Sequence, residues 1–444
     1  MPPSSWSISE PPPAASVRAN LLALGTSEVF ARVAQLLSLA ILARVLGQEG
    51  MGVVGTAWAI YQLAVPFVQY APELIGTREV ARGVEARAAF VSLTLVKLLI
   101  AVFACLPIAV CAAFFLDADP AAQLQVALQC PVLFAVALSG VWVFRGQRRL
   151  WAYAAVRIVS SAALLAGLFF GLGLVPLPWV VPVAETLTGL IGAAIAYALL
   201  MGAEPLQRVV AEVRASLPEL RTHVAEAVQF GLGAFLAAAM WSAPMLVARV
   251  FLDPGEQGVL AATIRLILAV SSLFQLALQV FHPVLAYRYT HDRESAKSLA
   301  AALVVQVFAV TIPVALAVAL LSPWIAGSLL GSEFDRAAIV LTALAPTLIP
   351  TAVSSVFGYA LLADGRYQLY VFICAGGAAA SVLGCWIAFS LLPDPEAAAV
   401  LAPVMTLVAL VQAFIVWRLD LVSYAHVSWR QLAPSRIWQM LKER

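Results

Sequence analysis

Ala43-Arg44-Val45-Leu46-Gly47-Gln48-Glu49-Gly50-Met51-Gly52-Val53-Val54 stands where one long apolar run ends and the next begins. In the second half of the chain, Ala248-Arg249-Val250-Phe251-Leu252-Asp253-Pro254-Gly255-Glu256-Gln257-Gly258-Val259-Leu260 occupies the same kind of place. Both read as an arginine near a helix end, a glycine-bearing turn and the start of a new helix. The chain therefore reads as two related halves, each opening with the same helical hairpin.

Composition sets the class. Of 444 residues, 63% are hydrophobic and 11% are charged, with a mean hydropathy of +0.95. A soluble domain carries about 25% charged residues. A helical membrane protein is the class that accommodates such a chain, because every backbone polar group must be satisfied inside lipid. The net charge of +2 gives no footprint for nucleic acid. The five cysteines lie in apolar runs without CxxC spacing, so neither a metal site nor a disulfide framework is expected. The four histidines are scattered and form no HExxH.

Twelve apolar segments lie at about 20–46, 51–73, 89–115, 122–144, 153–174, 179–201, 226–251, 257–283, 298–322, 337–362, 368–392 and 397–418. Their connections alternate in charge. One set holds Arg78, Arg82 and Arg87, then Arg145, Arg148 and Arg149, then Arg208, Arg214 and Arg221, then Arg288, Arg293 and Lys297, then Arg366. The other set is short and acidic, with Glu49, Asp117, Asp119, Asp253, Glu256, Glu333, Asp335, Asp394 and Glu396. Basic loops stay cytoplasmic, so both termini are expected inside. The expected organisation is a disordered cytoplasmic tail at 1–19 and a six-helix bundle at 20–201. A polar cytoplasmic linker follows at 202–225, then a second six-helix bundle at 226–418. A basic tail at 419–444, with Trp429 and Trp438, is expected along the inner interface. The Pro/Ser-rich start has no basic n-region and does not read as a cleaved signal peptide.

Charges inside the bilayer mark candidate function. Glu28 and Arg32 share one face of the first helix, about 6 Å apart along its axis. Arg265 lies well inside the eighth helix, and Lys97, Arg157 and Glu185 sit within theirs. Arg32, Arg265 and Glu28 are the candidate substrate-binding residues. Lys97, Arg157, Glu185, Arg44 and Arg249 are candidate cavity or gate residues. For Lys97 and Arg157 the competing reading is snorkelling to the interface. For the Glu28–Arg32 pair it is structural self-neutralisation, and for Arg44 and Arg249 complementation of a helix dipole. Arginine holds phosphate bidentately and keeps its charge when desolvated, so such a cavity suits an anion such as a diphosphate head group. Glu28 is the candidate for a coupling proton, with Arg32 beside it as an opposing charge.

None of the three lysines, Lys97, Lys297 and Lys442, completes a G-x-x-x-x-G-K-[ST] loop. Movement is therefore expected to use an H+ or Na+ gradient, the membrane potential or the substrate's own downhill path, with no cofactor. Prolines within the spans, among them Pro66, Pro107, Pro244, Pro313 and Pro350, permit kinks or simply shape the packing. The short outer turns and the lack of a clustered acid/His site give no support to an enzyme.

Leu42-Ala43-Arg44-Val45-Leu46-Gly47-Gln48-Glu49-Gly50-Met51-Gly52 resembles the "ARxLGpexfG" pattern that opens polysaccharide flippases. Gly76-Thr77-Arg78-Glu79-Val80-Ala81-Arg82 resembles their "GtReva" segment. These are O-antigen and exopolysaccharide translocases of the multidrug/oligosaccharidyl-lipid/polysaccharide exporter superfamily. The resemblance implies an all-α integral membrane exporter, with two six-helix pseudo-repeat bundles in a V around an alternating-access cavity. It implies transfer of undecaprenyl-diphosphate-linked glycan to the outer leaflet of a bacterial inner membrane, for lipopolysaccharide or exopolysaccharide synthesis. A glycan polymerase and glycosyltransferases are its implied neighbours. Two other readings stay open: a cation-coupled multidrug exporter of the same superfamily, and a non-transporting membrane subunit of a glycan-synthesis complex.

Overall fold

The computed structural model describes residues 14–81, 83–115, 120–201 and 206–423, which form helices and connections without a strand. Arg82, Asp117, Asp119 and the terminal segments 1–13 and 424–444, with Trp429 and Trp438, lie outside the described residues.

Eleven helical segments among the described residues are long and apolar enough to cross a membrane. The first, Leu24–Ala81, has 58 residues. At about 1.5 Å per residue it is roughly 87 Å long, far beyond a hydrocarbon layer of about 30 Å. It therefore makes two crossings. The break between them is Gly47, at φ +64° and ψ −170° inside an otherwise continuous helix. A side chain at that φ would be strained, so the glycine of the opening motif makes the hairpin. Twelve crossings result, as the apolar runs predict.

The later spans are Ala86–Phe115, Pro120–Gly146, Leu150–Leu174, Val180–Met201, Leu206–Phe251, Pro254–His291, Arg293–Leu320, Ala337–Ala363, Tyr367–Leu391 and Pro395–Arg418. Two differences from the sequence reading stand out. The seventh helix starts at Leu206, so most of the stretch expected as a linker is helical and continuous with the seventh span. Its Ala, Glu, Leu and Arg residues are good helix formers, and polarity alone misread them as loop. Likewise the first helix starts at Ala14, inside the expected tail.

The second span contains a π-helical turn at Pro66–Tyr70. Pro66 cannot donate a backbone hydrogen bond, and the turn absorbs the mismatch. Side chains beyond it are rotated relative to those before it.

The halves repeat in their backbone as well as in the opening motif. Arg148, after the fourth span, and Gly365, after the tenth, both have positive φ, 57° and 79°. The fifth span ends at Val175 (φ −139°, ψ 95°) and the eleventh at Leu392 (φ −135°, ψ 96°). Each is followed by a Pro-x-Pro turn, Pro176-Leu177-Pro178 and Pro393-Asp394-Pro395. In each turn the amide of the middle residue donates to the span's last carbonyl at 2.8 Å.

At the end bearing the acidic turns, the two opening motifs meet. A Cβ on Gly52 would fall 2.3 Å from the Pro254 carbonyl oxygen, and one on Gly258 1.8 Å from that of Gln48. One on Gly55 would lie 2.4 Å from Ala261 Cβ. Small residues thus bring the second and eighth helices to backbone contact, as in membrane helix pairs generally. Around this crossing Arg44 donates to the Ser328 carbonyl and Gln48 to that of Glu333. Buried Gln257 donates to Thr56 Oγ1 at 2.9 Å. Three acidic turn residues, Glu256, Asp394 and Glu396, gather on Arg336 at 2.9, 2.5 and 2.9 Å.

At the basic end the halves meet through the second, third and seventh spans. Arg78 pairs with Glu226 at 3.1 Å, and His223 lies 3.1 Å from Glu79 and 3.3 Å from Ser92. Phe67, in the π-helical turn, packs on Phe235 with centroids 5.5 Å apart. Apolar packing runs through both contacts, with Met51 and Val54 joined to Val259 and Leu260 at one end and Val68 and Leu93 to Ala227 at the other.

Candidate functional site

Between these two contacts lies a group of ionisable side chains from the first, second, fifth, sixth and eighth spans. Arg32, Arg157, Glu185 and Arg265 are each neither fully buried nor fully exposed. Arg265, Glu185, Tyr61 and Tyr70 have protein on most sides yet keep accessible surface. That combination marks a deep cleft rather than a packed core.

Glu28 and Arg32, expected on one face of the first helix, do not pair with each other, so the competing reading of structural self-neutralisation does not hold for these two. Glu28 is buried, accepts a hydrogen bond from Tyr153 at 2.7 Å and pairs with Arg157 at 3.7 Å. The fifth span packs so closely on the first that its Tyr and Arg claim the carboxylate. Arg32 instead donates to Gln35 at 3.2 Å. Arg157, which pairs with Glu28, also lies within electrostatic range of Arg32. Two arginines therefore face one carboxylate, and the cluster is cationic.

Arg265 reaches toward the first half of the chain. Its guanidinium lies 5.0 Å from the centroid of the Trp58 ring, on the second span. Glu185, on the sixth span, interacts electrostatically with Arg265 and with Tyr61. Among the described residues, Arg265 and Glu185 have no ion pair within 4.0 Å. Among the described residues, the buried Nε atoms of Arg32, Arg157 and Arg265 have no hydrogen-bond partner. Unsatisfied guanidinium nitrogens in a low-dielectric cleft are costly, and an anion with several acceptor oxygens would satisfy them.

The remaining candidates fall elsewhere. Lys97 is fully buried and neither snorkels nor reaches the cleft. Its ammonium donates to the Ser139 carbonyl at 3.0 Å and pairs with Glu73 at 3.4 Å. Arg145 shares that carboxylate at 3.3 Å and lies 5.5 Å from the Tyr153 ring centroid. A polar chain thus runs from Lys97 through Glu73, Arg145 and Tyr153 to Glu28. Arg44 joins the halves at the acidic end. Arg249 supports the same contact by donating to Gln257 at 3.3 Å. Both arginines belong to the closed acidic-end contact, away from the cleft.

Sequence reasoning missed Trp58, Tyr61, Tyr70 and Tyr153. Trp58 and Tyr61 are spaced i, i+3 on one helical face, which is a readable signal. Aromatic residues in an apolar span more often fill a core, so the spacing was not diagnostic. The pairing of Glu28 with a residue of the fifth span left no local trace.

This architecture matches solved transporters. The chain resembles an inward-facing multidrug resistance MATE family transporter of the MOP superfamily, with 15% identity and a TM-score of 0.67, over 88% of this chain and 94% of that one. It also resembles the lipid II flippase MurJ in an inward closed conformation, with 12% identity and a TM-score of 0.64, over 95% and 92%. A MOP superfamily transporter from Pyrococcus furiosus aligns with 14% identity and a TM-score of 0.55, over 91% and 94%. No curated protein is significantly similar in sequence. Residues 17–289 match the family model described as polysaccharide biosynthesis protein. With the MOP transporter fold carried over nearly its whole length and that family's pattern over more than half, the chain belongs to the polysaccharide biosynthesis protein family.

Proposed function

We propose that this protein is a flippase for a lipid-linked oligosaccharide, moving an undecaprenyl-diphosphate-linked glycan from the inner to the outer leaflet of a bacterial cytoplasmic membrane. The observation that carries the reading is a pair of adjoining cationic groups, Arg32 with Arg157 and Arg265 over Trp58, linked through Tyr70 and Tyr61, each arginine with an unpartnered Nε among the described residues. Among the described residues, Arg157 is the one of the three in direct contact with a carboxylate. A diphosphate offers planar acceptor pairs that match guanidinium forks, and the polyprenyl chain would stay in lipid. The basic end is taken as cytoplasmic, with both termini inside.

In this reading the two halves rock about their pseudo-symmetry axis. The glycine crossing closes the outer side while the head group enters from the inner side. The Arg78–Glu226 contact joins the inner ends when the outer side opens. An organic-cation exporter fits the cleft less well, because arginines outnumber carboxylates there.

The test is reconstitution of the purified chain into vesicles with labelled undecaprenyl-diphosphate oligosaccharide. Wild type should flip it. Arg32→Ala, Arg157→Ala and Arg265→Ala should each slow flipping about 10- to 100-fold, the cost of one charge-assisted contact. Transport of organic cations instead would favour the drug exporter, and no transport at all the non-transporting subunit. Collapsing an H+ gradient, an Na+ gradient and the membrane potential in turn identifies the energy source.

A further inference from the structure

Trp58 stands apart in its helix. From Met51 to Ile60 all other residues are buried, and Trp58 alone is partly exposed, with Arg265 over its ring. One turn on, Tyr61 is also partly exposed. Across from them Glu185 lies within electrostatic reach of Tyr61 and Arg265. Indole, phenol and carboxylate together form a set suited to a sugar ring. The aromatic face takes the ring's C–H face, while the carboxylate and phenol bond its hydroxyls. The indole face is now covered by Arg265, 5.0 Å from the ring centroid. A cation–π contact is weak compared with a bidentate guanidinium–phosphate pair. Among the described residues Arg265 has an unpartnered Nε and no ion pair within 4.0 Å, so besides the indole only the longer-range attraction of Glu185 holds it over the ring.

We propose that Trp58 is the specificity platform for the first sugar of the cargo, and that Arg265 covers it until a diphosphate draws the guanidinium away. This rests on the flippase reading and adds the order of recognition: phosphate first, then sugar. Trp58 and Arg265 sit on different halves of the chain, so the exchange also replaces a contact between halves with one through the cargo.

Binding of two probes to the full-length protein in nanodiscs tests it: undecaprenyl diphosphate, and the same lipid carrying one hexose. Wild type should bind the hexose-bearing lipid more tightly. Trp58→Leu should lose that preference, on the order of tenfold, while keeping its affinity for the bare lipid, and Trp58→Phe should retain part of it. Arg265→Gln should weaken both lipids by the same factor. Equal loss of both lipids in Trp58→Leu, or no hexose preference in wild type, overturns the platform and leaves the flippase reading intact. Failure of wild type to bind either lipid overturns the flippase reading itself. Unchanged melting temperature of the Leu variant separates a lost contact from a lost fold.

Discussion

Lys97 and Arg265 are both cations inside the membrane, yet their surroundings assign them opposite roles. Lys97 is sealed in protein and shares Glu73 with Arg145. Removing one member of a buried ion pair costs about 3–5 kcal/mol where the other charge is left alone. Here Arg145 still compensates Glu73, so the loss falls below that range and comes from the emptied, fully buried Lys97 site. Lys97→Ala should therefore lower the melting temperature by several degrees, measured by differential scanning fluorimetry in detergent. Among the described residues Arg265 has no carboxylate within 4.0 Å, so Arg265→Gln should leave the melting temperature nearly unchanged while transport falls. If Lys97→Ala melts like wild type and Arg265→Gln unfolds, the assignment of structural and cargo-binding charges is inverted. Both residues were legible as intramembrane charges. Their roles were not, because the partners are more than 20 residues away in the chain and only packing brings them near.

At the scale of elements, the opening motif proves to be a joint. Gly47 supplies the positive φ that turns the first span into the second. Gly52 and Gly258 let the second and eighth helices touch backbone to backbone. Any side chain at Gly258 would collide with the Gln48 carbonyl, which cannot yield without moving the helix. Gly258→Ala should thus part the helices at the acidic end. A cysteine replacing Thr56, next to the buried Gln257, should then react faster with a membrane-impermeant maleimide. Gly376→Ala is the control, because a Cβ there meets nothing within 4 Å. Equal reactivity in the two backgrounds would show that this crossing does not hold the end closed. The "GtReva"-like segment gains a physical role in the same way. Gly76 fits under Trp142, and Arg78 and Glu79 contact the seventh span at Glu226 and His223. The Pro-x-Pro turns after the fifth and eleventh spans are a second, shorter repeat that is readable in the sequence.

For the whole molecule, the two contacts at opposite ends define a mechanical problem. A rocking transporter exchanges one for the other, and the structure holds both, with the cationic cleft between them. If alternating access operates as proposed, cysteines at positions 78 and 226 joined by a disulfide should hold the basic end shut. Flipping in vesicles should then stop and return on adding reductant. Continued flipping by the cross-linked protein would mean that the basic-end contact is permanent and that movement occurs elsewhere.

The sequence by itself determined the class, the number of crossings, the two-half organisation and the presence of arginines deep in the spans. Each of these follows from local chemistry: about 20 apolar residues cross a bilayer, basic loops alternate with acidic ones, and a charge in a span cannot hide from its own hydropathy. Tertiary structure alone decided which charges cancel. Glu28 turned from its i, i+4 neighbour Arg32 to Tyr153 and Arg157, and Lys97 left the list of cleft residues for Glu73. Electrostatic pairing depends on distance in space, and in a low-dielectric interior a contact of 3 to 4 Å outweighs any separation along the chain.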